Sequence, residues 1–301
     1  MKTYIALVRH GVTDWNYDGR AQGQVDIPLN AEGERQAGAV AARLATERWD
    51  AVYSSDLARA RATAEAICRL TGHALITDER LRERSMGPAE GMTAVEREAL
   101  WPGVALSDIP GVESDAALGL RAEAVLTEIA RRHPGQRIVV VSHGALLNRF
   151  LQQTVGTKPV NFRNTGISPV VWDGQGFRPA GQHDYRHLLV DGVEYDGVRT
   201  RLAHHVQREG LPGVALPPEK AALMVRNASA VDAAWVDDRL VGYVRAFTDR
   251  VRYGYIDLLY TAPGYERVGA VLQRRIAERY PEVRFELIAG GAGETGEATG
   301  A

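Results

Sequence analysis

Two histidines each follow an apolar, β-branched run and precede a glycine: Leu7-Val8-Arg9-His10-Gly11 and Val141-Ser142-His143-Gly144. If both runs are parallel neighbours in one sheet, the two imidazoles meet in the crevice beyond the strands' carboxyl ends, where open α/β sheets place ligands. Such a pair, with arginines between, suits phosphoryl transfer. That chemistry needs a nucleophile, cations around the equatorial oxygens, and an acid for the leaving oxygen. Arg9 and His10 lie at the first strand end, and Arg59 on the first turn of a helix that follows Ser54-Ser55-Asp56-Leu57. The guanidinium fork matches phosphate oxygens as lysine does not. Asn16 and the N–H groups after Gly11 add neutral donors. Glu83, within Leu81-Arg82-Glu83-Arg84, is a candidate proton donor. Taken singly, Arg59 reads as a solvated helix residue and Glu83 as a surface ion pair with Arg82 or Arg84. Taken together, they read as a site.

The elements that must position these groups follow from periodicity. Residues 3–8 read as a buried strand and 31–48 as a helix with Ala37, Val40, Ala41 and Leu44 on one face. Ala51-Val52-Tyr53 is a strand, and Ser55 or Asp56 can cap a helix running to about Leu70. Residues 74–77 are a further strand. The stretch 86–113, with Pro88, Pro102 and Pro110, reads as a cover of short helices and loops. Its Met92, Leu100 and Trp101 suggest a mixed apolar mouth. Ser114 caps a helix with Leu118, Ala122, Val125 and Ile129 at core spacing, stopped by His133-Pro134-Gly135. Ile138 to Val141 is a strand, a helix runs from Gly144 to about Thr154, and residues 166–172 and 176–180 form a hairpin around Asp173-Gly174.

Strands alternating with helices at this spacing predict a three-layer α/β/α domain with a mostly parallel sheet over residues 1–190. Residues 191–217, punctuated by Gly192, Gly197, Gly210, Pro212 and Pro217, read as a linker with one short helix. A smaller α+β domain is expected over 218–289, with a start near 193 as the alternative. It would hold helices at 218–227 and 265–279 and strands at 231–236, 240–247, 254–260 and 283–288. Residues 290–301 are only Gly, Glu, Thr and Ala and read as a disordered tail.

Composition narrows the partners. A formal net charge of −2 over 301 residues gives no sign of nucleic acid or an anionic membrane surface, so any anion site must be local. No segment is apolar long enough to span a bilayer, which predicts a cytoplasmic protein. Cys68 is the only cysteine, which excludes an internal disulfide and a cysteine metal cluster. Its helical spacing marks a buried filler. His73, His183, His187, His204 and His205 read as surface or structural. A homodimer is left open.

At this point the chain resembles the histidine phosphatase superfamily, the phosphoglycerate-mutase-like proteins, over about residues 1–190. The matching blocks are Arg9-His10-Gly11 with Thr13, Trp15 and Asn16; Gly23 to Leu29 with Gly33 and Gln36-Ala37; and Ser54 to Leu57 with Arg59-Ala60 and Thr63-Ala64. Leu81-Arg82-Glu83 with Gly87 and Glu90-Gly91, then Val141 to Gly144, complete the order. The resemblance implies that His10 is the nucleophile and forms a phosphohistidine, its other ring nitrogen held by an acceptor such as a backbone carbonyl. Arg9, Arg59 and His143 would hold the phosphoryl oxygens, with Asn16, Gln22, Gly23 and Gly144 also in the substrate site. Glu83 would protonate the leaving alkoxide and then deprotonate the attacking water. No metal or other cofactor is implied, since the cations take that part. The short stretch between Glu83 and His143, with Gly111, Glu113 and Ser114, is similar to the phosphatase branch. A phosphatase of small phosphomonoesters is therefore expected. A phosphoglycerate mutase is the alternative; a binding module with a vestigial pocket is another.

Leu240 to Ala246, then Tyr255 to Tyr260 and Pro263, resemble a GNAT-type N-acetyltransferase. That family's glycine-rich loop at a helix start holds the coenzyme A pyrophosphate. The corresponding Gly264-Tyr265-Glu266-Arg267-Val268-Gly269-Ala270 is about two residues short and lacks one expected glycine, and the helix and strand carrying a tyrosine acid are replaced by the Gly-rich tail. The resemblance implies a degenerate domain that packs, dimerises or binds a partner, with Gly269 serving close helix packing. A bifunctional phosphatase/N-acetyltransferase is the alternative.

Overall fold

A computed structural model of the chain describes residues 1–158 and 162–288. The residues fall into two compact units, Met1–Asn16 with Arg20–Leu188, and Tyr17–Gly19 with the chain from Leu189 onward. The tail expected to be disordered, 290–301, lies outside the described residues.

The first unit holds strands β1 (Thr3–Arg9), β2 (Ala51–Ser54), β3 (Leu75–Thr77), β4 (Arg137–Ser142), β5 (Ile167–Trp172) and β6 (Phe177–Pro179). Their order in the sheet is β3-β2-β4-β1-β5-β6. The first four are parallel, and β5 and β6 add an antiparallel edge. β1 and β4 are direct neighbours with Arg9 opposite Ser142, so the two His-Gly pairs leave the sheet side by side. Both strands are apolar almost without interruption because helices cover both faces. Ile5, Leu7, Ile138 and Val140 pack under α5 (Asp115–Arg132) and α6 (Gly144–Phe150); Ala6, Val8, Val139 and Val141 pack under α2 (Ala31–Leu44) and α3 (Ala58–Thr71). Each such side chain contributes roughly 1.5–3 kcal/mol of burial.

The starts of α2 and α5 follow local chemistry, and that of α3 does not. Asn30 accepts from the Gly33 N–H and Ser114 from the Ala117 N–H. The start of α3, expected to be capped by Ser55 or Asp56, has no capping side chain at Leu57; Asp26 reaches across to accept from the Ala58 N–H instead. Asp56 is drawn away by an ion pair with Arg82. Two short helices, α1 (Asp14–Asp18) and α4 (Ala94–Leu100), flank the site side of the chain. α4 buries none of its residues, and Leu100 is exposed, so this part of the cover is not core. The last turn expected in α6 loosens into a π turn over Leu151–Val155. Cys68 is half-buried against the α2–α3 core, and burial pushes its thiol up.

The second unit holds β7 (Leu189–Val190), β8 (Val193–Asp196), β9 (Ala230–Val236), β10 (Arg239–Thr248), β11 (Tyr253–Thr261) and β12 (Arg284–Leu287), in the order β12-β11-β10-β9-β8-β7. Only β11 and β12 pair parallel. α7 (Arg199–Glu209) and α8 (Pro218–Arg226) share one core with this sheet, and α9 (Arg267–Arg279) shares another. The stretch 191–217 carries β8 and α7, and its Leu202, Ala203, Val206 and Leu211 are buried in that core. The one short helix expected in this stretch is α7; frequent Gly and Pro hid β8 and the packing, because here the turn residues border short elements rather than a free linker. A Cβ on Gly269 would lie 3.3 Å from Thr261 Cγ2, the close approach expected there. Among the described residues no helix is long and apolar enough to cross a membrane.

Candidate active site

The crevice at the ends of β1 and β4 is assembled from distant segments. After His10 the chain turns across the start of α2, so closely that a Cβ on Gly11 would sit 2.5 Å from the Gly33 carbonyl oxygen. Only paired glycines allow this passage. The Gly11 N–H donates to Thr63 Oγ1 at 3.0 Å, and that hydroxyl donates to the Arg59 carbonyl. The loop after His10 and the turn carrying Arg59 are thus tied by one threonine. Asn164 Nδ2 donates to the His10 carbonyl at 3.0 Å, and the Thr165 N–H donates to the Arg9 carbonyl at 2.9 Å. Thr165 holds this position at φ 57°, a backbone conformation costly for a β-branched residue. Neither residue was singled out in the sequence. They lie some 150 positions beyond His10, and no local pattern marks such a contact.

His10 and His143 are buried, with ring centroids 5.0 Å apart. His10 Nδ1–H donates to its neighbour's carbonyl, Gly11 O, at 2.6 Å, which leaves Nε2 as the ring atom with a lone pair. Burial, then the Arg59 and Arg9 charges, hold the His10 pKa well below its ordinary value. Burial and the same two arginines, with His10, do so for His143. Both imidazoles are therefore neutral at pH 7. Neither ring nitrogen of His143 makes a hydrogen bond.

Arg59 is fully buried, and burial pulls its pKa down to about 10. Its Nη1 and Nη2 donate to the carbonyls of Val25 and Gly23, both at 2.8 Å, and Nε has no partner. Arg9 lies against the start of α6, its Nε 3.3 Å from where a Gly144 Cβ would be, with Nη1 donating to the Phe162 carbonyl at 2.6 Å. Glu83 is not the surface ion pair its neighbours suggest. Arg82 pairs with Asp56 and Arg84 with Asp115. The Glu83 carboxylate instead accepts from the N–H groups of Ala145 and Leu146 at 3.1 Å each, on the first turn of α6, and from Arg84 N–H at 2.8 Å. Asn16 Oδ1 accepts from the Thr13 N–H at 3.1 Å, and the Thr13 hydroxyl donates to Gln22 Oε1 at 2.9 Å. Gly23 has φ 52° and no room for a Cβ beside the Glu90 carboxyl.

The structure thus gathers His10, His143, Arg9, Arg59 and Glu83 about the ends of β1 and β4, with Gly23 against Arg59, Gly144 against Arg9, and Asn16 and Gln22 linked through Thr13. His183 meets the Ser168 hydroxyl, and His187 meets that of Thr165 behind the His10 loop. His205 packs on Trp235, and His204 is exposed. Among the described residues no three His, Cys, Asp or Glu side chains gather where they could hold a metal ion.

Comparison with known proteins bears on the same region. Residues 5–184 match the model of the histidine phosphatase superfamily, branch 1. The chain is 36% identical over 157 residues to an uncharacterized phosphatase, PhoE, of Bacillus subtilis, covering 52% of this chain and 80% of that one. It is also 36% identical over 208 residues to the Probable phosphoglycerate mutase GpmB of Yersinia enterocolitica, covering 63% and 97%. Among solved structures, a mutant phosphoserine phosphatase from Entamoeba histolytica in complex with phosphoserine superposes with a TM-score of 0.54 at 28% identity, covering 62% of this chain and all of that one.

Proposed function

The chain belongs to the histidine phosphatase superfamily and carries its phosphoglycerate-mutase-like α/β fold, and on that premise we propose that its first domain, residues 1–190, hydrolyses small phosphomonoesters through a phosphohistidine on His10. The observation that carries this reading is the pair of neutral, buried imidazoles set between two arginines, with the His10 tautomer fixed by the Gly11 carbonyl.

His10 Nε2 forms an N–P bond as the ester P–O bond breaks, and the Glu83 carboxyl gives its proton to the departing alkoxide. Arg9, Arg59 and His143 hold the three equatorial oxygens, where charge accumulates in the transition state. Water then attacks phosphorus and gives a proton to Glu83. The N–P bond breaks, phosphate leaves, and His10 returns neutral. The net reaction consumes one water per ester and needs no cofactor. Asn16, Gln22, Gly23 and Gly144 shape the substrate site.

Hydrolysis is favoured over mutase chemistry because only the short segment 84–142 separates Glu83 from His143. A panel of phosphorylated metabolites, including phosphoserine and 3-phosphoglycerate with a trace of 2,3-bisphosphoglycerate, tests this. Release of free phosphate from one or more compounds is expected. Rapid formation of 2-phosphoglycerate with little phosphate would overturn it.

For the second unit a packing or partner-binding part fits better than acetyl transfer. In the loop where a pyrophosphate would need donors, the Glu266 carboxylate already accepts from the Gly264 N–H at 2.8 Å. That acid repels an anion.

A further inference from the structure

Arg121, on α5, is about one-fifth exposed and reaches the backbone just before Glu83. Its Nη1 donates to the carbonyls of Arg80 at 2.8 Å and Arg82 at 2.7 Å, and its Nη2 to that of Glu83 at 3.2 Å. The other edge of the guanidinium meets Glu113 in a two-bond fork, Nε to Oε1 at 2.9 Å and Nη2 to Oε2 at 2.7 Å. Glu113 is itself anchored. Its Oε2 accepts from the Ser85 N–H, and its own N–H donates to the Ser85 carbonyl. The remaining carbonyl of the run, Leu81 O, accepts from the Ser142 hydroxyl at 2.7 Å.

Every carbonyl from residue 80 to residue 83 is therefore held by a side chain, three of the four by one guanidinium. Beyond the short turn at Glu79–Leu81 the segment belongs to no helix or strand, so these bonds take the place of a ladder. We propose that Arg121, braced by Glu113, is a positioning residue that aims the Glu83 carboxyl at the leaving oxygen. The proposal rests on the proton-donor part given to Glu83 above. Charge-assisted bonds in a planar fork fix direction as well as distance. A lysine ammonium offers neither the fork nor enough correctly aimed donors.

Leaving-group dependence separates positioning from mere support. An alkoxide must be protonated as it departs, whereas 2,4-dinitrophenolate leaves without an acid. The measurement is kcat/KM for the alkyl phosphate that the metabolite panel shows to be cleaved fastest, and for 2,4-dinitrophenyl phosphate. It is made on Arg121→Lys, Glu113→Gln and, as reference, Glu83→Gln. Misplacing a catalytic group by about 1 Å can cost roughly 100-fold. Arg121→Lys should therefore lose about 10- to 100-fold on the alkyl ester and less than about threefold on the aryl ester. Glu113→Gln should lose less, with the same selectivity. Equal losses on both esters for Arg121→Lys, or no loss, while Glu83→Gln is selective, would overturn the positioning assignment alone. If Glu83→Gln itself shows no selectivity, the proton-donor reading fails and this proposal with it.

Discussion

Two fully buried charges, one in each unit, are met in opposite ways. In the second, Asp232 is fully buried, and Arg275 Nε and Arg279 Nη2 meet its carboxylate at 2.8 and 3.3 Å. Glu194 and Asp196 likewise pair with Arg201, at 2.9 and 3.0 Å. In the first, Arg59 is just as buried, yet its hydrogen bonds go to neutral carbonyls, and the imidazoles of His10 and His143 are kept uncharged beside it. The fold pairs Asp232 directly with arginines, whereas the carboxylates that act on Arg59, Glu83, Asp26 and Glu90, make no hydrogen bond to it. A guanidinium with no carboxylate bonded to it, beside neutral imidazoles, suits an anionic substrate. Compensated charge is architecture.

Substitution should separate the two. Arg59→Met is expected to lower kcat/KM by about 1,000-fold, the upper range for one lost donor to transition-state oxygens, while the protein still folds, less stable by about 1–3 kcal/mol for the Val25 and Gly23 carbonyls it leaves without a donor. Asp232→Ala leaves two arginines facing an apolar gap and should destabilise the second unit by about 3 kcal/mol, with phosphatase activity within about threefold of the parent. Parallel assays and denaturant unfolding check both. Loss of folding in Arg59→Met with a harmless Asp232→Ala would reverse the comparison.

A smaller effect concerns pH. The folded pKa of each site histidine lies well below 6.5, so the unfolded chain binds more protons as pH falls through that value. Stability is therefore full above pH 6.5 and declines below it, by at most about 1.4 kcal/mol per pH unit for each histidine. Between pH 7.5 and 5.5 a His10→Ala/His143→Ala double variant should lose up to about 2 to 3 kcal/mol less than the parent in urea unfolding. Identical losses would mean that the imidazoles are not held neutral by the fold.

What the sequence made legible was local. His10 and His143 sit at the ends of strands whose apolar runs announce burial on both faces. The helices carrying Arg59 and following Ser114 show their core faces at regular spacing. Glu83 was legible only through its block, since its flanking arginines point to a surface ion pair; Asp56 and Asp115 claim those arginines in the fold. Residues that work through one long-range backbone contact were hidden. Asn164 and Thr165 hold the His10 loop from beyond α6, Asp26 caps α3 from an earlier loop, and Arg121 looks like any helix arginine. The β7–β8 pair was masked by its own turn residues. Strands that short show too little alternation to stand out from a linker.

The central claim is that the phosphoryl group passes through His10, and trapping the intermediate tests it most directly. Protein mixed briefly with phosphoryl-labelled substrate and quenched in base should carry a label that survives alkali, is lost in acid, and maps to the peptide containing His10. His10→Ala, still folded, should carry none and turn over no substrate. Full activity in His10→Ala, or a label that remains on that variant, would contradict the account.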